Sequence, residues 1–331
     1  CNVNDNNIFI QGVDWVPIKQ NFADVKDEDY KEILSLYKEI GVNLIRVWGG
    51  AVLEREAFYN LCDEMGIMVW QEFPMSSSGI DNYPPEDEHF ADEMEKIVKD
   101  YVRKRGYHAS LIIWCGGNEL YKLDDGAQMY PIDSTHPLIG RMKKILEEEN
   151  PGRRFIPASP TGPLAHFHPE KKGQGLHENT HGPWKAENRE NWDTYFENDD
   201  SMFKAEAGAP GASSLDILEK YAGDLNAYPI IGENDYWSRP MNWWIETEEF
   251  KAEMGRYPNT KEEYVSWSQK RQADLLYKAV KSKKDQYPKC GGFIIWMGHD
   301  NYPCPVNTSI IDFYRRLKPA ALAVKKVFKD E

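Results

Sequence analysis

Residues 111–119, LIIWCGGNE, decide how the rest of the chain is read. Five apolar or bulky residues suit a strand buried on both faces, and the Gly116-Gly117 pair breaks it just before two polar residues, Asn118 and Glu119. The same pattern recurs on the N-terminal side. Residues 8–15 (IFIQGVDW), 42–48 (VNLIRVW) and 67–73 (IMVWQEF) are apolar runs that finish in polar or aromatic residues. Helical stretches separate them. Residues 27–40 set Tyr30, Ile33, Leu34 and Tyr37 on one face, 54–65 end at Gly66 in a C-cap position, and 87–106 form a long amphipathic helix.

Downstream the rhythm is less regular. A helix over 135–149 stops before Pro151, and strands are expected at 154–159, 175–181 and 202–206. A short helix at 213–221, a helix at 260–282, an eighth strand at 291–297 (GGFIIWM) and a closing helix at 319–328 complete the chain. Residues 223–258, with Tyr236, Trp237, Pro240, Trp243 and Trp244, read as an irregular aromatic-rich insertion after strand seven.

Strand–helix alternation repeated about eight times implies a parallel sheet. In 331 residues it fits an α/β fold of the (β/α)8 TIM-barrel type, forming one domain over 1–331. A doubly wound open sheet fits less well, because no glycine-rich dinucleotide fingerprint follows the first strand. In a barrel, function belongs at the C-terminal ends of the strands. Those ends carry Asp14 and Trp15, Arg46 and Trp48, Gln71 and Glu72, Asn118 and Glu119, His181, Glu206, and Trp296 with His299.

Hydrophobic residues make up 41% of the chain, enough for a sizeable core. The net charge of −14 argues against nucleic acid and anionic membranes as partners. No apolar run approaches the roughly 18 residues of a membrane span, and no signal-peptide pattern opens the chain. A start at Cys1, already leading into a strand, suggests a domain excised from a longer protein. The five cysteines (Cys1, Cys62, Cys115, Cys290, Cys304) follow no zinc or redox spacing and are expected to be free thiols, with a Cys290–Cys304 bridge left open. Aromatic residues reach 13%, with 11 Trp, and flat indole faces pack well on the C–H faces of sugars.

Two carboxyl groups facing each other across a barrel mouth suit glycoside hydrolysis, one as acid and one as nucleophile. Glu119 and Glu206 both follow strands; Glu233, after Ile230-Ile231-Gly232, is a rival nucleophile. Arg46 needs an acidic partner such as Glu72 or Glu206, and pairing with Glu206 would hold that carboxylate ionised. His177-Glu178-Asn179-Thr180-His181 matches the zinc pattern H-E-x-x-H, which requires a helix. Asn179 and Thr180 are poor helix formers and Gly182-Pro183 follows, so a strand end presenting His181 is expected instead. Trp114 is read as core, and Trp15, Trp48, Trp184 and Trp296 as sugar-site candidates. Asn307-Thr308-Ser309 has the form of a glycosylation sequon.

Three segments carry a resemblance. Arg46-Val47-Trp48-Gly49-Gly50, then Cys62-Asp63-Glu64-Met65-Gly66-Ile67 with Val69-Trp70-Gln71-Glu72-Phe73, then Ile113-Trp114-Cys115-Gly116-Gly117-Asn118-Glu119, resemble glycoside hydrolase family 2, in its β-mannosidase and exo-β-glucosaminidase branch. Gly12-Val13-Asp14-Trp15-Val16-Pro17 is similar to that branch's first strand, and 309–314 with Lys318-Pro319 to the end of its barrel. The resemblance implies a retaining exo-β-glycosidase acting on β-mannosides, with Glu119 as acid/base, Asn118 at the sugar 2-position and Glu206 as nucleophile. It favours Glu206 over Glu233, and it places His181 and Trp184 in a His-x-x-Trp stretch. Arg46, Trp15, Trp48, Trp296 and His299 complete the expected substrate site. It implies an oligosaccharide or glycoside substrate and no metal or organic cofactor. It also implies sugar-binding and immunoglobulin-like domains ahead of the barrel, and a periplasmic or secreted setting. Other β-glycosidase specificities (glucosaminide, galactoside, glucuronide), a non-catalytic carbohydrate-binding barrel and a zinc hydrolase are the alternatives. The chain departs from the branch at Ala205 and Ala207 beside Glu206, and at Trp296-Met297-Gly298-His299-Asp300 after strand eight.

Overall fold

The structure is a computed structural model that describes residues 2–76, 82–124, 128–238 and 244–331. Cys1, Pro240 and Trp243 lie outside the described residues. Eight parallel strands form one sheet: β1 (Ile10–Trp15), β2 (Leu44–Val47), β3 (Met68–Glu72), β4 (Leu111–Cys115), β5 (Arg154–Ile156), β6 (Asn179–His181), β7 (Phe203–Ala207) and β8 (Gly292–Ile295). Their order is β6-β7-β8-β1-β2-β3-β4-β5, so each strand lies beside its neighbour in sequence and β8 returns to β1. This is the expected TIM-barrel architecture.

Among the described residues no ladder joins β5 to β6. The segment after β5 bridges the gap: the Asn179 amide donates to Thr161 O at 3.2 Å and the His181 amide to Ala165 O at 2.9 Å. The barrel is therefore closed at one seam by irregular backbone.

Nine helices are described, α1 (Asp27–Ile40), α2 (Glu56–Met65), α3 (Glu88–Arg105), α4 (Pro137–Glu149), α5 (Arg189–Asn198), α6 (Leu215–Ala222), α7 (Thr247–Met254), α8 (Lys261–Asp285) and α9 (Pro319–Phe328). In α1 three acidic residues occupy the first turn, where the helix dipole favours them, and Tyr30, Ile33, Leu34, Tyr37 and Ile40 are buried. Gly66 closes α2 in the left-handed C-cap conformation, at φ 66°. Trp114 is core, stacked on Phe73 at 5.3 Å.

Three features differ from the sequence reading. Helix α5 lies where none was expected; Asn188 caps it and only Trp192 and Phe196, one turn apart, are buried. Strands β5 and β6 are shorter than expected because the chain turns off the ladder within three residues. The insertion is not wholly irregular: α7 lies within it, and Ile230, Tyr236, Trp237 and Phe250 form a small core with Tyr264 of α8. As expected, the four described cysteines are buried and free, and the Cys290–Cys304 bridge that was left open does not form. Asn307 of the sequon donates its side-chain amide to Asp300 Oδ1 at 3.0 Å, and Thr308 is buried. No described helix is long and apolar enough to cross a membrane.

Candidate active site

Period-two alternation along the strands builds the site. Ile10, Leu44, Trp70, Ile156, Ala205 and Ile294 pack together as an apolar layer. Two residues further along β2 and β3, the same inward face carries Arg46 and Glu72. Arg46 is fully buried and gathers the rim. Its Nε donates to Glu72 Oε1 at 2.9 Å, Nη2 to Asn118 Oδ1 at 2.6 Å, and Nη1 to Glu206 Oε2 at 2.9 Å and Ala205 O at 3.1 Å. Asp14 Oδ1 lies 3.0 Å from the same Nη1. Burial opposes the guanidinium's charge, but Asp14, Glu72 and Glu206 hold its proton firmly.

Glycines let the strand ends approach. A Cβ on Gly49 would lie 2.2 Å from Met75 O, and one on Gly116 would lie 2.0 Å from Pro157 O. Both contacts are with backbone, so side chains are excluded there, and Glu72 Oε2 accepts from the Gly49 amide at 2.7 Å. The glycine pairs of the two quoted motifs thus permit close packing beneath the mouth.

Glu119 takes a left-handed backbone conformation, φ 50°. Such a residue is strained by about 1–3 kcal/mol and persists only where its surroundings hold it. Here its amide donates to Ser159 O at 2.7 Å and its carbonyl accepts from Asn82 Nδ2 at 2.9 Å. The carboxylate reaches His181, with Oε1 3.1 Å from Nδ1. His181 lies in turn 3.7 Å from Glu206 Oε2, and its Nε2 is 2.9 Å from Ser159 Oγ. A carboxylate oxygen of Glu119, the imidazole and a carboxylate oxygen of Glu206 all lie within 4.8 Å of one another.

Trp184 Nε1 donates to Glu206 Oε1 at 2.9 Å. Burial, and after Arg46's opposing pull the charge of Glu119, push the Glu206 carboxyl up to about 8. Burial pulls His181 down to about 3, so its imidazole is neutral and bonds at both nitrogens.

The candidates separate. Glu119, Glu206, Arg46, Asn118, His181 and Trp184 converge on this ring. Trp48 and Trp296, both half-buried, meet edge to face at 5.2 Å beside it, at the ends of β2 and β8. Trp15 and His299 are corrections. Trp15 has no exposed surface; its Nε1 donates to Glu54 and its ring packs against Tyr30, Phe58 and His299. His299 bonds Tyr37 OH at 2.6 Å in the same buried layer, so neither residue faces a substrate. Strand alternation turns Trp15 outward beneath α1, while its neighbour Asp14 points in. Glu233 is exposed on a turn of the insertion.

His177 lies outside the ring, hydrogen-bonded to Asp200 Oδ1 at 2.6 Å, and the H-E-x-x-H segment ends as strand β6, not a helix. Glu119, His181 and Glu206 come close enough for a cation to bridge them, but their 3.1 Å Glu119–His181 contact is a hydrogen bond already formed.

Sequence reasoning missed Ser159, Tyr121 and His166. His166 Nδ1 meets His181 O at 3.1 Å, and its ring lies between Tyr121 and Trp184, 6.3 and 6.2 Å away. Burial holds His166 below its usual pKa. No motif marks these three; only the fold brings them to the site. A separate cavity of about 340 Å³, lined by Ile18, Ile33, Tyr302 and Phe313 among others, shares no residue with the carboxylate ring.

Residues 1–137 match the family model described as the TIM barrel domain of glycosyl hydrolases family 2. A β-mannosidase B of Thermothelomyces thermophilus is 27% identical over 349 residues, covering 98% of this chain and 40% of that protein. The crystal structure of a β-D-mannosidase from Dictyoglomus thermophilum superposes with a TM-score of 0.80 at 26% identity, over 99% of this chain and 40% of that one. An exo-β-D-glucosaminidase structure, at 16% identity and a TM-score of 0.71 over 97% of this chain and 37% of its own, shares the fold. The resemblance to family 2 and to its β-mannosidase branch is thus borne out, and the chain spans about 40% of the length of the curated relatives it matches.

Proposed function

We propose that this family 2 barrel hydrolyses terminal β-linked glycosides with retention at the anomeric carbon, and that its sugar is a β-mannoside. The observation that carries the reading is the pair Glu119 and Glu206, with carboxylate oxygens within 4.8 Å of each other. Retaining pairs stand about 5–5.5 Å apart, while inverting pairs leave about 6.5–9.5 Å for a water.

In the first step Glu206 attacks C1 and Glu119 gives its proton to the departing oxygen. The bond to the aglycone breaks and a glycosyl–Glu206 ester forms. In the second step Glu119 takes a proton from water, whose oxygen attacks C1 and releases Glu206. Arg46 and Trp184 donate to Glu206 from fixed positions and favour its ionised form. His181 suits either state of Glu119. It accepts at Nδ1 from the acid while donating Nε2–H to Ser159, or donates at Nδ1 to the carboxylate while accepting from the Ser159 hydroxyl. Asn118, held by Arg46, reaches the sugar 2-position, and Trp48 and Trp296 offer indole faces. The choice of mannose rests on the branch of the named relatives. Domains flanking the barrel would complete the pocket's outer wall.

The test is intact-mass spectrometry after incubation with activated 2-deoxy-2-fluoro β-glycosides, followed by peptide mapping, on the full-length protein. The expected result is one sugar on Glu206, fastest with the mannoside. A label on any other carboxylate overturns the assignment, and faster labelling by another sugar overturns the mannose reading.

A further inference from the structure

The three carboxylates around Arg46 are not equivalent. Glu72 accepts two well-formed hydrogen bonds, from Arg46 Nε and the Gly49 amide. Glu206 also accepts two, from Arg46 Nη1 and Trp184 Nε1. Asp14 accepts none at either side-chain oxygen, although it is fully buried and 3.0 Å from Nη1. The reason is stoichiometric. Nη1 carries two hydrogens, and Glu206 Oε2 and Ala205 O take them. Asp14 is left with the guanidinium's charge nearby and no hydrogen aimed at it. An ionised carboxylate so placed is a desolvated charge without a donor, while one guanidinium already faces Glu72 and Glu206.

We propose that Asp14 carries a proton at neutral pH and stays neutral when Glu206 ionises, leaving the Arg46 charge to Glu72 and to Glu206 in its ionised form. Asp14 is then a positioning residue: by staying uncharged it lets Glu206 be ionised beside a single guanidinium. The role rests on the reading of Glu206 as nucleophile; the protonation itself does not. Among the described residues, the other groups around Asp14 leave it no second cation. Arg46 comes from β2, Glu72 from β3, Glu119 from the end of β4, His181 (neutral) from β6 and Glu206 from β7. Tyr37 of α1 lies on its far side, bonded to His299, which burial also keeps neutral. Burial pushes Asp14 well above the ordinary carboxylate range, against the pull of Arg46.

The test is Asp14→Asn, which keeps the shape of the neutral acid. Infrared difference spectra at neutral pH between wild type and variant are expected to show a protonated-carboxyl stretch present only in the wild type. The acid limb of the variant's kcat/KM profile, read against its own plateau, is expected to keep its position. A missing band, or an acid limb lowered by about one pH unit or more, overturns the proposal, since either means Asp14 was ionised and was raising Glu206. Asp14→Ser, uncharged and smaller, serves the same comparison if the Asn variant fails to fold. Labelling of Glu206 by the fluoro-sugar separates the two readings. Without it the nucleophile assignment fails while the infrared band still reports on Asp14.

Discussion

Glu119 and Glu206 lie close together in different surroundings, and their variants should differ accordingly. On the proposed mechanism, Glu119→Gln removes the proton donor but leaves Glu206 and its two donors. Hydrolysis of glycosides with poor leaving groups should fall by about 10²–10⁴-fold, while activated aryl glycosides keep most of their first-step rate. Equal losses on both would remove Glu119 from the acid role. The pH profile follows from Glu206. In the proposed mechanism attack needs its ionised form, and burial raises its pKa above the ordinary range. Activity should therefore fall as pH drops through that raised value, giving an acid limb above the usual carboxylate region. A limb near the ordinary Glu value of about 4.3 would contradict the burial argument. Arg46 was legible because it ends an apolar run with a charge; Glu119 and Glu206 were legible only as carboxylates following strands, and the family resemblance alone set Glu206 above Glu233. Trp15 was misread because a strand end offers two faces, and His299 because it lies beyond the end of β8, where no period fixes its side. The letters show that a residue is last in a strand, but its side is fixed by register, which here sends Asp14 inward and Trp15 outward.

At the scale of elements, the long strands and helices α1 to α4 were legible because their burial follows a clean period. Helix α5 was not, since only Trp192 and Phe196 mark its buried face amid ten mostly polar residues. Those two carry its docking, so Trp192→Ala should cost about 3–5 kcal/mol in urea unfolding. The missed short hairpin of Tyr121–Leu123 with Met129–Pro131 has too few residues for any period to show. The glycine turns make a sharper prediction. In Gly116→Ala the new methyl meets Pro157 O, a backbone atom that cannot swing aside. The end of β4 would have to shift, costing about 1–3 kcal/mol and moving Glu119 with it. Reduced thermal stability together with a lowered kcat is expected; unchanged melting would show that the backbone yields freely.

For the whole molecule, the end of the barrel away from the Arg46 rim holds a second buried charge cluster. Lys204 Nζ lies 2.7 Å from Asp199 Oδ2, and Lys283 of α8 donates to Asp199 O at 2.9 Å. Burial opposes ionisation of Asp199, but the two lysines prevail and hold it at about 2. A depressed carboxylate contributes stability that is present above its unfolded pKa of about 3.9 and is lost as pH falls through its folded one. Acid unfolding should therefore steepen between those values, and Asp199→Asn should flatten that part of the stability–pH curve while weakening the fold at neutral pH. The overall fold was readable because eight repeats of one unit leave few topologies, but the seam between β5 and β6 was not, since it depends on where two strands end in space. That seam has a consequence in time. Asn179 and His181 are held across it by single bonds to a loop, without the cooperative ladder that protects the other strands. Their amides should be among the first of the barrel's strand amides to exchange with deuterium. Each opening would carry His181 away from Glu119, so the slow breathing of the scaffold and the readiness of its acid would keep the same clock.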